Sequence, residues 1–395
     1  MSNLTIFSIS IQLNFFIISI LISNIVDSLD SHFTLWRTLK GVEIVRHQGR
    51  LIYSAGNVSV VFQVWHEGVK KSLKCYIRSS KNLPYIYKSD FYAKELCVFD
   101  IAGRRTWVDC LLTPYIEGIT LDEAICKAER GEEFEALAEE FDRMAGWLLE
   151  KPFAHGDLKP ENIIVMGNGK MRAIDWDAAF LPELSQNPAT ERGTAAYQHP
   201  LRGSEMYDKH IDDYSIAMLS TMLHLYAIKP ELSSHFKSFH EPKLLPKAII
   251  GHTTEEFESI LDLFARQGMA REYQIAKMLR SSHAQLFDLR RMMGIKCIEE
   301  SAFATELDEE GGLWGYRNDI GWVVAPIYDM GFEPMDGVAL VRLGEYYHFI
   351  GLDGRILKSF PASVKIKPQS QGRALIRTSE GEEQIINLKE LVKSE

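Results

Sequence analysis

Apolar and polar positions change their period along this chain. Between residues 51 and 116 they run in short alternating or continuous apolar stretches: Val58–Val64, Leu73–Ile77, Leu96–Phe99 and Val108–Leu112. That is the pattern of strands. From 121 to 150 the spacing becomes helical. Leu121, Ala124 and Ile125 form one apolar group; Phe134, Leu137, Phe141, Met144, Leu148 and Leu149 form another, mostly at steps of three and four. A polar loop follows, then a hairpin expected over Ile163–Val165 and Met171–Ile174, with Gly167-Asn168-Gly169 as its tight turn. Residues 211–293 read mostly as helix, over Tyr214–Tyr226, Thr254–Gln267 and Tyr273–Met293. A strand-rich part followed by a helix-rich part predicts two lobes with a cleft, and such clefts favour ligands.

The pattern shifts again near residue 300. Glu306-Leu-Asp-Glu-Glu-Gly311 reads as an acidic, Gly-ended linker, placed over 296–311. Beyond it, over 312–395, Gly and aromatic residues recur among short strand patterns. Residues 315–321 match 348–354 at a spacing of 33, and 337–341 match 372–376 at a spacing of 35. The other end of the chain is also distinct. Leu4–Val26 holds no charged residue over 23 positions, long enough to cross a bilayer. Ser8, Ser10, Gln12 and Asn14 interrupt it, and neither a basic start nor a small-residue cleavage site accompanies it. The basic residues Arg37, Lys40, Arg46 and Arg50 follow it, so an anchor here would hold the main body on the cytoplasmic side. Three readings of residues 1–30 stay open: an anchor, a buried or interfacial segment, and upstream sequence outside the working protein.

Composition narrows the class. With 395 residues, 46% hydrophobic and 25% charged, the chain has material for two or three globular domains. A net charge of −10 argues against a dominant nucleic-acid-binding surface. The five cysteines (Cys75, Cys97, Cys110, Cys126 and Cys297) are widely spaced without C-x-x-C. That spacing argues against a zinc site or a disulfide framework, and the thiols are expected to be free and mostly buried in a reducing compartment.

The chemistry concentrates in Ala154-His-Gly-Asp-Leu-Lys-Pro-Glu-Asn-Ile-Ile164 and, thirteen residues past Asn162, in Asp175 of Ala173-Ile-Asp-Trp-Asp177. Asn162 opens one hairpin strand and Asp175 ends the other, so both can converge on one point. An amide oxygen and a carboxylate suit Mg²⁺, which takes its other ligands from water and phosphate. Asp157 can accept the proton of an attacking hydroxyl, and Lys159 can offset charge on a phosphoryl group in flight.

These residues resemble the catalytic core of the protein kinase superfamily. The H-x-D-L-K-P-E-N run matches its catalytic loop, with Gly156 in place of the usual Arg, and Asp175-Trp176-Asp177 stands in place of D-F-G. The resemblance covers about residues 33–295. It implies an α+β bilobal kinase-like fold: N-lobe and hinge over 31–118, C-lobe over 119–295, then a small β-rich domain. It implies ATP and Mg²⁺ as cofactors, with Asp157, Lys159 and Thr194 catalytic and Asn162 and Asp175 on the metal. Ser54, Gly56 and Ser59 stand in a thin version of the Gly-rich phosphate loop, with one of three family glycines. Lys74 stands as the lysine that meets ATP phosphates, and Tyr115 and Ile116 lie in the adenine-facing hinge. Gly193-Thr194-Ala-Ala-Tyr197-Gln-His-Pro200 resembles the end of the activation segment, where Thr194 would bond Asp157 and Lys159. Asp212 resembles the buried aspartate that anchors the loop backbone. The usual Glu after Pro200 is Leu201, and the glutamate partner of Lys74 is unassigned, with Glu95 the one in reach.

His-Gly-Asp and Ile-Asp-Trp-Asp also resemble aminoglycoside and choline kinase-like enzymes, which phosphorylate small molecules. Lys159-Pro-Glu-Asn162 and Gly193–Pro200 favour a Ser/Thr protein kinase acting on a protein hydroxyl. A pseudokinase scaffold is the third reading. With Gly156 replacing the Arg that binds a phosphorylated loop, activity independent of Ser185 or Thr190 phosphorylation is expected. Residues 312–395 resemble WG repeats, often bacterial, which serve either as a β-cap or as a partner-binding module. Location is expected to be cytoplasmic, with a tether through 4–26 as the alternative.

Overall fold

The computed structural model describes residues 20–31, 34–187, 189–251, 254–294, 306–318, 320–369 and 372–393. Most of the apolar segment 4–26, Cys297 and the first part of the 296–311 linker lie outside the described residues. The molecule is mixed helix and sheet. It divides into two units, Met1–Ile116 and Glu117–Glu395.

The first unit runs α1 (Ile22–Asp30), β1 (Glu43–Ile44), β2 (Arg46–His47), β3 (Arg50–Leu51), β4 (Tyr53–Ala55), β5 (Ser59–His66), β6 (Val69–Tyr76), α2 (Leu83–Tyr87), β7 (Phe91–Phe99) and β8 (Arg105–Pro114). Its sheet is antiparallel in the order β1-β5-β6-β8-β7, with β4 also paired to β5. Alternation gives the sheet two faces. Val60, Phe62, Leu73, Cys75, Cys110 and Leu112 pack with Ile25 and Leu29 of α1. Tyr76 and Leu111, on the other face, pack with Leu83 of α2. The last part of the apolar N-terminal segment is therefore core: Ile25 is fully buried. Among the described residues no helix is long and apolar enough to cross a membrane. Cys75, Cys97 and Cys110 are free and buried.

The second unit begins with β9 (Ile119–Thr120), α3 (Leu121–Lys127), α4 (Gly131–Leu149), β10 (Ile163–Val165) and β11 (Met171–Ala173). Helices follow: α5 (Asp213–Ile228), α6 (Ser234–Phe239), α7 (Pro246–Ile250), α8 (Glu255–Gln267), α9 (Ala270–Met278) and α10 (Phe287–Gly294). Thr120 and Thr254 cap α3 and α8, accepting from Glu123 N and Glu256 N. Helix α5 is apolar all round and buried throughout residues 213–226, which makes it the centre of the unit. Two of its polar side chains meet a partner on α4: Asp142 accepts from Ser220 and His224 of α5, and from Arg271 of α9, at 2.7–2.9 Å. The helix expected over Tyr273–Met293 is in fact two, α9 and α10. The chain leaves helix after Leu279, where Ser281 turns to accept from His283 N.

Three small antiparallel sheets follow. They are β12 (Glu306–Glu310), β13 (Leu313–Arg317) and β14 (Trp322–Tyr328); β15 (Met330–Gly331), β16 (Val338–Leu343), β17 (Tyr346–Gly351) and β18 (Ile356–Pro361); and β19 (Lys365–Gln369), β20 (Arg373–Arg377) and β21 (Glu383–Asn387), before α11 (Leu388–Lys393). The sequence matches align β13 with β17 and β16 with β20, so the repeat is one of strand meanders. The expected linker is partly strand. Glu306–Glu310 pairs along β13, Leu307 turns inward, and Gly311-Gly312 make the reversal at positive φ. Charged residues suit this edge position, since they discourage further pairing. The first two sheets share the helical core: Tyr316, Val324, Tyr328, Val341 and Ile350 pack with it. Gln274 of α9 donates to Ile327 O at 3.0 Å, and Lys277 lies 3.3 Å from Asp329. The third sheet packs on the second in a separate small core, with Ala374, Ile376 and Ile386 against Val338 and Phe349.

Candidate functional site

The site grows from a loop that joins α4 to β10. Ala154 is bridged to Phe180 by two backbone bonds of 3.1 and 2.9 Å. His155 is fully buried; its Nε2 meets Ile174 O at 2.7 Å and its ring lies 4.7 Å from that of Trp176. Its Nδ1 accepts from Asp157 N at 3.3 Å. The next turn requires glycine. Gly156 has φ +86°, and a Cβ there would fall 2.1 Å from the carbonyl oxygen of Ala178. Asp212, buried just before α5, accepts from His155 N at 2.5 Å and Gly156 N at 2.8 Å. Burial pushes its carboxyl above the usual range, against the pull of those two amides and of Arg202.

So held, the loop presents Asp157. Its Oδ1 accepts from Thr194 N at 2.6 Å and its Oδ2 from Asn162 Nδ2 at 3.2 Å. Lys159 Nζ stands 3.5 Å from Oδ2 and donates to Thr194 Oγ1 at 3.0 Å. Gly193, at φ +73°, lets this turn approach: a Cβ there would fall 2.6 Å from Gly156 O and 3.1 Å from Asp157 Oδ1. Asp157, Lys159, Asn162 and Thr194 are thus one bonded cluster. Asp175 is beside it. The β10–β11 ladder pairs Ile163 with Ala173, and Ile174 N donates to Asn162 O at 2.8 Å. Asp175 then takes φ +62° and ψ +64°, a left-handed conformation that costs a non-glycine residue free energy. Trp176 Nε1 bonds back to Ala173 O at 3.2 Å, which helps hold the bend.

In the first unit, Ser54, Val61, Lys74 and Leu111 stand in one row across β4, β5, β6 and β8. With Ser59 they occupy the sheet face opposite α1. Lys74 is buried, and its Nζ lies 5.4 Å from the centre of the Tyr76 ring. Gly56 turns the β4–β5 hairpin and spends its N–H on Ser59 O at 2.9 Å. Tyr115 and Ile116 end the unit. Tyr115 OH accepts from Gln63 at 3.0 Å, and its amide donates to Lys70 O at 3.4 Å.

Three side chains that matter were not legible as such. Glu95 sits on β7, not on a helix. Its Oε1 accepts from Thr38 N and Leu39 N, both at 2.7 Å, and its Oε2 from Thr38 Oγ1 at 2.6 Å. Arg202 is buried beside exposed Leu201 and donates to Gly156 O at 3.0 Å and to Gln198 Oε1. It brings a cation to the loop where Gly156 cannot. Trp176 packs on His155 and Phe153. Trp176 carried a signal as the aromatic residue directly after Asp175, and Glu95 was in view only as a partner for Lys74, not as an acceptor of backbone amides. No protein-family model and no curated protein matches the chain.

Proposed function

We propose that this chain is an ATP-dependent phosphotransferase with a bilobal protein kinase-like fold over about residues 31–295, acting on a Ser or Thr hydroxyl of a protein. The observation that carries this reading is the convergence of Lys159, Asn162 and Thr194 on the Asp157 carboxylate, with Asp175 at the adjoining hairpin end. Phosphoryl transfer needs mainly positioned charge, and this cluster supplies it. The substrate oxygen attacks the γ-phosphorus, the bond to the ADP oxygen breaks, and the hydroxyl proton passes to Asp157. Lys159 sits where it can offset charge on the transferring group while Thr194 orients it. Lys74, on the sheet face opposite α1, would contact ATP phosphates. Asn162 and Asp175 offer an amide and a carboxylate oxygen, donors that fit Mg²⁺, which bound there would screen phosphate charge. The C-terminal meanders fit WG-type repeats, and the shared core favours the β-cap role for the first two.

The test is the full chain with labelled ATP and Mg²⁺, beside Asp157→Ala and Asp175→Ala. Label on the chain or on a generic Ser/Thr substrate, reduced at least about a thousandfold in both variants, is expected. Transfer only to small hydroxylated acceptors would replace the protein substrate with a small molecule. Failure to bind nucleotide would overturn the proposal.

A further inference from the structure

A second cluster of reactive side chains lies on a different part of the second unit. Asp122 and Cys126 are one turn apart on α3, so they share a face. The chain returns to that face at His240, the residue that ends α6 in a left-handed conformation at φ +56°. His240 Nδ1 stands 2.8 Å from Asp122 Oδ1 and 4.0 Å from Cys126 Sγ. The three donor atoms all lie within 4.8 Å of one another. One ring nitrogen therefore meets a carboxylate and a thiol together. The carboxylate and the thiol thus share one imidazole nitrogen as their partner.

We propose that Asp122, Cys126 and His240 bind a divalent cation of zinc type, with solvent completing a tetrahedral site. The donor set selects the metal class. A thiolate with an imidazole suits Zn²⁺, Co²⁺ and their neighbours, whereas Mg²⁺ and Ca²⁺ take oxygen ligands. With metal–ligand bonds of about 2.0–2.3 Å, neighbouring donors in a tetrahedron stand about 3.3–3.7 Å apart. The observed separations of 2.8 and 4.0 Å fall on either side of that range, so small side-chain rotations reach it. The thiol proton leaves to solvent as the metal enters. The elements are already joined nearby, since Lys237 of α6 donates to Ala128 O at the end of α3. Helix α3 also packs on the turn Pro160–Asn162, so the ion would brace a helix that supports the Asp157 loop.

The experiment is a Co²⁺ titration of the full chain followed by visible and near-ultraviolet absorption, then displacement by Zn²⁺. Expected are a thiolate-to-cobalt charge-transfer band and tetrahedral ligand-field bands at one equivalent, with a melting temperature that rises in Zn²⁺. Cys126→Ser should abolish the charge-transfer band. His240→Ala should weaken binding at least about tenfold, the factor that even an outer-shell partner contributes. Both positions are partly exposed, and an unchanged far-ultraviolet spectrum verifies that the variants fold. Asn162 and Asp175 carry no sulfur, so a cation held there cannot give this band. No thiolate band at saturating Co²⁺, or a band that survives in Cys126→Ser, would overturn the proposal.

Discussion

Two buried carboxylates, one in each unit, do the same physical work. Asp212 accepts the amides of His155 and Gly156, 57 and 56 residues away in sequence. Glu95 accepts the amides of Thr38 and Leu39, also 57 and 56 residues away. Each fastens a distant irregular segment to a regular element. What differs is the cargo. The segment Asp212 holds carries Asp157; the segment Glu95 holds leads from α1 to the sheet. The bond pattern alone therefore does not mark a reactive site. What sets the Asp157 segment apart is the further set of partners around that carboxylate, Thr194, Asn162 and Lys159.

The largest effect should come from breaking the first fastening. Asp212→Ala leaves two buried amides without an acceptor and removes one of the carboxylates that face Arg202. A loss of about 3–5 kcal/mol is expected from urea unfolding, as for other buried charges stripped of a partner. Phosphoryl transfer, if the proposed function holds, should fall with it even where the fold persists. A variant with full stability would show that the loop holds its shape without Asp212.

Next comes the glycine that the fastening shapes. Gly156→Ala places a Cβ against Ala178 O and keeps φ at +86°. The left-handed conformation alone costs about 1–2 kcal/mol, and the contact adds to it. The same contact answers why this position does not hold arginine. Gly156→Arg should destabilise at least as much as alanine, measured by thermal unfolding. Stability equal to wild type would mean that the Ala178 peptide moves freely.

The contrast between the fastenings sharpens at Glu95. Glu95→Gln keeps one acceptor oxygen and turns an amide toward the other donor. It should cost about 1–3 kcal/mol, with faster hydrogen exchange confined to residues 34–39. Under the proposed function, the Michaelis constant for ATP should stay within about twofold, because the carboxylate serves the backbone of 38–39. A large rise in that constant would make Glu95 a partner of the nucleotide site and erase the difference between the two fastenings.

Sequence legibility follows the same division. Asp157, Lys159, Asn162 and Asp175 could be singled out because they are close in sequence and their spacing is set by one loop and one hairpin. Thr194 and Asp212 needed the resemblance, which supplied long-range partners that spacing cannot. Glu95 and Arg202 were hidden because a single charged residue in an apolar strand or loop looks the same whether it caps a backbone or faces water. Length misled elsewhere. An acidic run looked like a linker because edge strands are also rich in charge, and 21 helix-like positions concealed the break between α9 and α10.

The smallest effect tests the chemistry of the fastening with burial removed. Glu133, in the first turn of α4, accepts from Glu129 N at 2.8 Å and Arg130 N at 3.0 Å, with its side chain 40% exposed to solvent. Its backbone bonds draw its carboxyl down from the usual 4.5 to about 2, with the Arg130 guanidinium helping. Asp212 accepts two amides as well and shifts the other way, because burial penalises its charge more than the amides reward it. The signs then separate. Glu133 stabilises the fold above about pH 4.5 and loses that contribution as pH falls toward about 2, because the unfolded chain takes up its proton first. Asp212 works in reverse, favouring the fold less as pH rises from 3.8 through its raised value. The difference in melting temperature between wild type and Glu133→Gln should thus be constant above pH 5 and shrink steadily below about 4.5. A difference that persists unchanged into strong acid would show that the cap acts through its shape and not through its charge.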